Sequence, residues 1–127
     1  MKKIIFILVL TFLISGCNSS KAKRDKILII ASNQLFHADS KMAAGNSFGE
    51  IVLAYKPFTE AGYQVDVLSP KGGSIPLSYI NTSNDLQRTY LYDFEFMAKL
   101  KNTLKPSEVN ALDYKIIHYT GGSSPDF

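Results

Sequence analysis

Only one cysteine, Cys17, stands in the 127 residues, and tryptophan is absent. A lone thiol excludes any disulfide within the chain. Long apolar runs are missing too: the longest, Ile4 to Ile14 broken only by Thr11, falls short of the roughly 20 residues that a membrane-spanning helix needs. Neither sign of charge dominates. The formal net charge is +3, and without Lys2 and Lys3 it falls to +1. No basic stripe interleaves with aromatics, which points away from nucleic acid as a partner. His118 has no second histidine, cysteine or carboxylate at ligand spacing, so no metal site is expected. Gly72-Gly73 and Gly121-Gly122 lack the lysine and hydroxyl of a phosphate loop, and no other cofactor pattern appears.

What is present begins with the order of parts at the amino terminus. Met1-Lys2-Lys3 is a cationic head, Ile4 to Ile14 an apolar stretch, and Ile14-Ser15-Gly16-Cys17 a small-residue close. These are the parts of a secretory signal in their usual order. Because it ends in cysteine, it resembles a bacterial lipoprotein signal, which implies cleavage before Cys17, lipid on its thiol and an extracytoplasmic, membrane-anchored chain. One acyl chain binds a bilayer only marginally, whereas two or more anchor stably. Residues 1–16 are therefore read as the signal. Residues 17–25 are the lipidated cysteine and a polar tether, and residues 26–127 a single small domain.

Within that domain, Lys26 to Ser32 (KILIIAS) is apolar without alternation, as in a strand buried on both faces of a parallel sheet. A mostly polar loop over 33–46 follows, holding His37 and Asp39. Ser47-Phe48-Gly49-Glu50 has the spacing of a helix capping box, and Phe48, Ile51, Val52, Tyr55 and Phe58 recur at helical intervals up to Ala61-Gly62. Tyr63 to Ser69 is predicted as the second strand and Pro70 to Gly73 as a turn. Residues 74–88 read as irregular and Tyr90 to Leu104 as helical, with Pro106 opening a short turn. Tyr114 to Tyr119 (YKIIHY) is the third strand. The order is βαβαβ, an α/β fold with a parallel sheet and right-handed crossovers. Ligands of such sheets bind beyond the carboxyl ends of the strands, here at loops 33–46, 70–75 and 120–127.

Several pieces in this order resemble the ThiJ/PfpI superfamily, with its class I glutamine amidotransferase-like, flavodoxin-like fold. Within it they are most similar to the branch of heat-shock chaperones and glyoxalase III enzymes. The pieces are KILIIAS at 26–32, Gly45-x4-Glu50, the run from Phe58 to Asp66, Ser69-Pro70-Lys71-Gly72-Gly73, and Val109 to Tyr114 leading to Gly121-Gly122. The resemblance implies a cofactor-free chemistry, the glyoxalase III-type conversion of methylglyoxal to lactate or deglycation of proteins. It runs on a cysteine nucleophile held on a tight strand-to-helix turn. Glu50 falls at the position of the glutamate that contacts that sulfur. Gly121 and Gly122 fall at the double glycine whose neighbouring N–H groups stabilise an oxyanion, and Ser123 replaces the histidine usual after the pair. The sequence ends before the nucleophile turn, and Cys17 belongs to the signal.

Two readings of Glu50 remain open at this point, a vestigial partner of an absent thiol and the acidic end of the Ser47 capping box. His37 reads as a solvent-facing loop residue, His118 as a packed strand residue, and Asp39, Asp66 and Asp113 as loop or strand-edge residues. The expectation is a membrane-anchored lipoprotein with the amino-terminal part of a ThiJ/PfpI-like domain, inactive by itself for want of the nucleophile. The alternatives are a non-enzymatic ligand-binding or chaperone-like lipoprotein, and a non-functional fragment of a truncated gene. Besides the membrane, self-association through the strand at 114–119 is the expected partner contact.

Overall fold

The structure, a computed structural model, describes residues 25–120. Three strands, β1 (Lys26–Ile30), β3 (Gln64–Leu68) and β5 (Tyr114–Tyr119), form a fully parallel sheet in the order β3-β1-β5. The apolar, β-branched run at 26–30 takes the centre, where both faces are covered. Ile27 and Ile29 on one face are fully buried, and Leu28 on the other is nearly so.

Helix α1 (Phe48–Glu60) lies on the face of Ile27 and Ile29, where Phe48, Ile51 and Val52 meet Val65 and Val67 of β3. Ala61 closes the helix and Gly62, at φ +88°, turns the chain into β3. A left-handed residue at this place favours glycine, because a Cβ would crowd the backbone.

Between β3 and β5 the chain departs from the expected outline. Helix α2 (Asp85–Leu91) begins inside the stretch that reads as irregular, and α3 spans Phe94–Lys101. The single helix predicted over 90–104 is therefore two. The break is enforced locally: the Asn84 carboxamide accepts the Gln87 N–H and caps α2, and the Asp93 carboxylate accepts the Phe96 N–H and caps α3. Phe96 is fully buried against Phe48, Tyr55 and Tyr90, with ring centroids 6.0, 4.7 and 5.1 Å away, and is the hinge of the helical layer. Tyr92 and Phe94, at the break itself, are exposed.

Two further strands of two residues each, β2 (Asn46–Ser47) and β4 (Leu77–Ser78), pair in parallel and were not foreseen. Beyond α3, Leu104 bridges to Leu68, and the chain crosses to the far side of β1 to form β5 over the predicted residues. The β5 register slips once: Lys26 faces Tyr114 but Ile27 faces Ile116, leaving Lys115 as a bulge. Among the described residues, no helix is long and apolar enough to cross a membrane.

Candidate functional site

The carboxyl ends of β1 and β3 open onto a loop and a turn, and the polar side chains there organise the backbone. Asn46 is buried at the start of β2. Its Oδ1 accepts the Ser32 N–H at 2.8 Å, and its Nδ2 donates to the carbonyls of Ser32 and Pro76 at 2.8 and 2.9 Å. One amide thus joins the end of β1, the start of α1 and the strand β4. Asn33 does the same for the turn after β3, accepting the Lys71 N–H at 2.7 Å and donating to the Gly72 carbonyl at 3.2 Å. Beneath that turn the buried Ser69 and Thr103 hydroxyls lie 2.6 Å apart, and Thr103 donates to the Gly73 carbonyl at 2.8 Å. A buried hydroxyl without a partner is costly; here Ser69 and Thr103 satisfy each other and latch the segment after α3 onto β3.

Glu50 stands in the first turn of α1, exposed and directed to the same end. The capping-box reading does not hold. Ser47 makes no side-chain bond to the helix start, and among the described residues the Glu50 carboxylate has neither hydrogen bond nor ion pair. The sequence spacing is that of a box, but Ser47 is engaged as the second residue of β2. Its negative charge still favours the amino end of the helix dipole.

Glu50 lines a cavity of about 310 Å³ between α1 and β5, together with Leu53, Ala54, His118 and Tyr119. The structure therefore brings His118 to Glu50, which sequence reading did not. Strand alternation carries the signal: His118 follows Ile116 on the face turned to α1, where its ring meets Phe58 edge-on at 6.1 Å. Among the described residues the cavity offers a carboxylate, an imidazole and a phenol, and no thiol. His37 is held in the loop after β1 by its own backbone, accepting from Ser40 and donating to Met42, away from the residues that line this cavity. Asp66 is the middle residue of β3, level with Leu28 on the face of the sheet turned away from α1. Gly121, Gly122 and Cys17 lie outside the described residues. A larger cavity, about 600 Å³, is lined by Ile75, Leu77, Phe94, Met97 and Leu100 and contains none of the predicted residues.

The comparisons meet this geometry at both ends of the chain. Residues 1–18 match the pattern of a prokaryotic membrane lipoprotein lipid attachment site. Over 120 residues the chain is 29% identical to the glutathione-independent glyoxalase hsp3102 of Schizosaccharomyces pombe, covering 85% of this chain and 48% of that protein. The fold is shared with Rapid Encystment Protein 24 kDa of Francisella tularensis, at a TM-score of 0.70 and 21% identity over 77% of this chain and 44% of that one. It is also shared with glyoxalase III from Candida albicans, at a TM-score of 0.58 and 24% identity, again over 77% and 44%. The chain carries a lipoprotein lipid attachment site and shares the fold of these ThiJ/PfpI-like proteins. It is lipid-anchored outside the cytoplasm through Cys17. The chain spans about half the length of the relatives it matches.

Proposed function

We propose that this lipoprotein, by itself, does not carry out the thiol-dependent glyoxalase chemistry suggested by the relative it resembles, and that it works as an anchored, non-enzymatic binding domain. The observation that carries the reading is the cysteine count: Cys17 is the sole cysteine, and the lipid occupies its sulfur. A thioether sulfur cannot be ionised to the thiolate that a cysteine nucleophile requires. Glu50 then has no nucleophilic sulfur to contact within the chain, in keeping with a carboxylate that has no partner among the described residues, and Gly121 and Gly122 are left as the vestige of an oxyanion side.

The test is direct. The lipidated chain in detergent is assayed for loss of methylglyoxal and appearance of lactate, with buffer as reference. No turnover is expected. Turnover above buffer that disappears in Glu50→Gln would overturn the proposal.

A binding role is favoured over a bare remnant by the surface around the carboxyl ends of the strands. Leu35, Phe36, Met42, Tyr79 and Ile80 are all exposed there. An apolar rim of this kind suits a chaperone-like hold on exposed apolar peptide. Suppression of the aggregation of an unfolded client, lost in Phe36→Asp with Met42→Asp, is the result expected of this role.

A further inference from the structure

The parallel sheet has two unlike edges, and only one is joined to the lipid. All three strands begin at the same edge, and Asp25 is fastened there twice. Its carbonyl accepts the Gln64 N–H at 3.0 Å, and its carboxylate takes Lys115 Nζ at 2.5 Å. Lys115 Nζ also lies 5.9 Å from the centre of the Tyr63 ring. The short turn Ala111–Asp113 runs directly into β5 and sets Leu112 at this same edge. Leu112 is 92% exposed, more than any other large apolar residue among those described.

From the lipid-bearing Cys17 to Asp25 the chain advances eight residues, which span about 28 Å at most when fully extended. Three of those eight, Lys21, Lys23 and Arg24, are cationic. Basic residues close to a bilayer are drawn to anionic lipid, and an apolar side chain presented beside them enters the headgroup boundary.

We infer that the amino edge of the sheet, with Leu112 at its tip, docks on the anionic phospholipid surface that holds the anchor. The inference rests on the lipid at Cys17 and not on the binding role proposed above. It commits the Glu50 cavity and the apolar rim to the far edge, about 17 Å further from the bilayer for strands of five residues. The site then faces the extracytoplasmic space, open to soluble ligands rather than to lipid.

The absence of tryptophan makes the test clean, because one introduced indole is the sole reporter. Leu112→Trp and Met42→Trp are made separately in the full lipidated chain; both positions are exposed, so the fold is retained. Each is reconstituted into vesicles of phosphatidylglycerol and phosphatidylethanolamine in which part of the lipid is brominated near the glycerol end of its acyl chains. Most of the fluorescence at position 112 is expected to be lost, and little at position 42. Equal loss at both positions, or loss at 42 alone, would overturn the docking. In phosphatidylcholine vesicles the loss at 112 should shrink, and so it should when Lys21, Lys23 and Arg24 are changed to Gln. Unchanged quenching in both cases would overturn the role of anionic lipid.

Discussion

Tyr114 on β5 donates its hydroxyl to Asp66 Oδ2 on β3 at 3.0 Å, reaching across the central strand. Lys26, on that central strand, places its Nζ 3.6 Å from the same oxygen and 5.7 Å from the centre of the Tyr114 ring. One carboxylate in the middle of β3 thus holds the first side chains of both β1 and β5.

This arrangement makes stability depend on alkaline pH. Burial, and then the bond to Asp66, push the Tyr114 phenol up from 10.0 to about 12. The unfolded chain loses this proton first, so its contribution is complete below pH 10 and is lost as pH rises through about 12. Chemical denaturation midpoints should fall over that window in the native chain, and fall less steeply in Tyr114→Phe. Parallel slopes in the two proteins would contradict the assignment.

Gly72 should resist substitution more than Gly62, although both have positive φ. A Cβ on Gly72 would lie 2.6 Å from Lys105 Cγ and 3.3 Å from the Thr103 carbonyl, whereas one on Gly62 would meet nothing within 4 Å. Gly62→Ala is expected to cost about 1–2 kcal/mol for the left-handed conformation alone. Gly72→Ala should cost more in urea unfolding, and Lys105→Ala in the same chain should recover part of the difference.

Phe96→Ala should remove about 3–5 kcal/mol, because the ring is fully buried among three other aromatics. For a domain whose whole stability is about 5–15 kcal/mol, that is a large share of it. A fall in the urea unfolding midpoint, followed by near-ultraviolet circular dichroism, is the expected reading.

The β5 edge carries an alternating prediction. Thr120 donates its N–H to the Ile30 carbonyl, so the backbone groups of His118 also turn to β1, while those of Ile117 and Tyr119 turn outward. Exposed Ile116, Ile117 and Tyr119 make this edge adhesive, and the bulge at Lys115 blunts only its beginning. If copies of the chain associate through β5, hydrogen exchange in detergent will show the Ile117 and Tyr119 amides gaining protection with concentration. The His118 amide will be protected throughout. Protection of all three independent of concentration would rule self-association out.

Replacing Cys17 by Ser should abolish acyl labelling and release the chain from membranes into the soluble fraction. Retention of that variant on membranes would show a second anchor.

The parallel sheet was legible because β1 is a short apolar run without alternation, KILII, and YKIIHY is a short stretch rich in the Ile and Tyr that favour strands. The first helix was legible from its period and its Ala61-Gly62 stop. The α2–α3 break was not, since Asp93 looks like any polar residue in an aromatic stretch until its carboxylate is seen on the Phe96 N–H. Strands of two residues, such as β2 and β4, are too short to leave a pattern. At the site, Glu50 was visible by its place in the helix. Its neighbours His118 and Tyr119 come from nearly 70 residues further on, and only the register of β5 on β1 brings them together.

The strand that receives the tether is also the middle strand of the sheet. A pull arriving from the membrane through Asp25 runs along β1 and meets the ladders to β3 and β5 together, in shear, so that the hydrogen bonds on both sides share the load. Had the tether joined an edge strand at a right angle, the same pull would open one ladder a bond at a time, like a zip. The anchorage is therefore mechanically guarded. Force spectroscopy through the amino terminus should find a higher rupture force than pulling outward on β5.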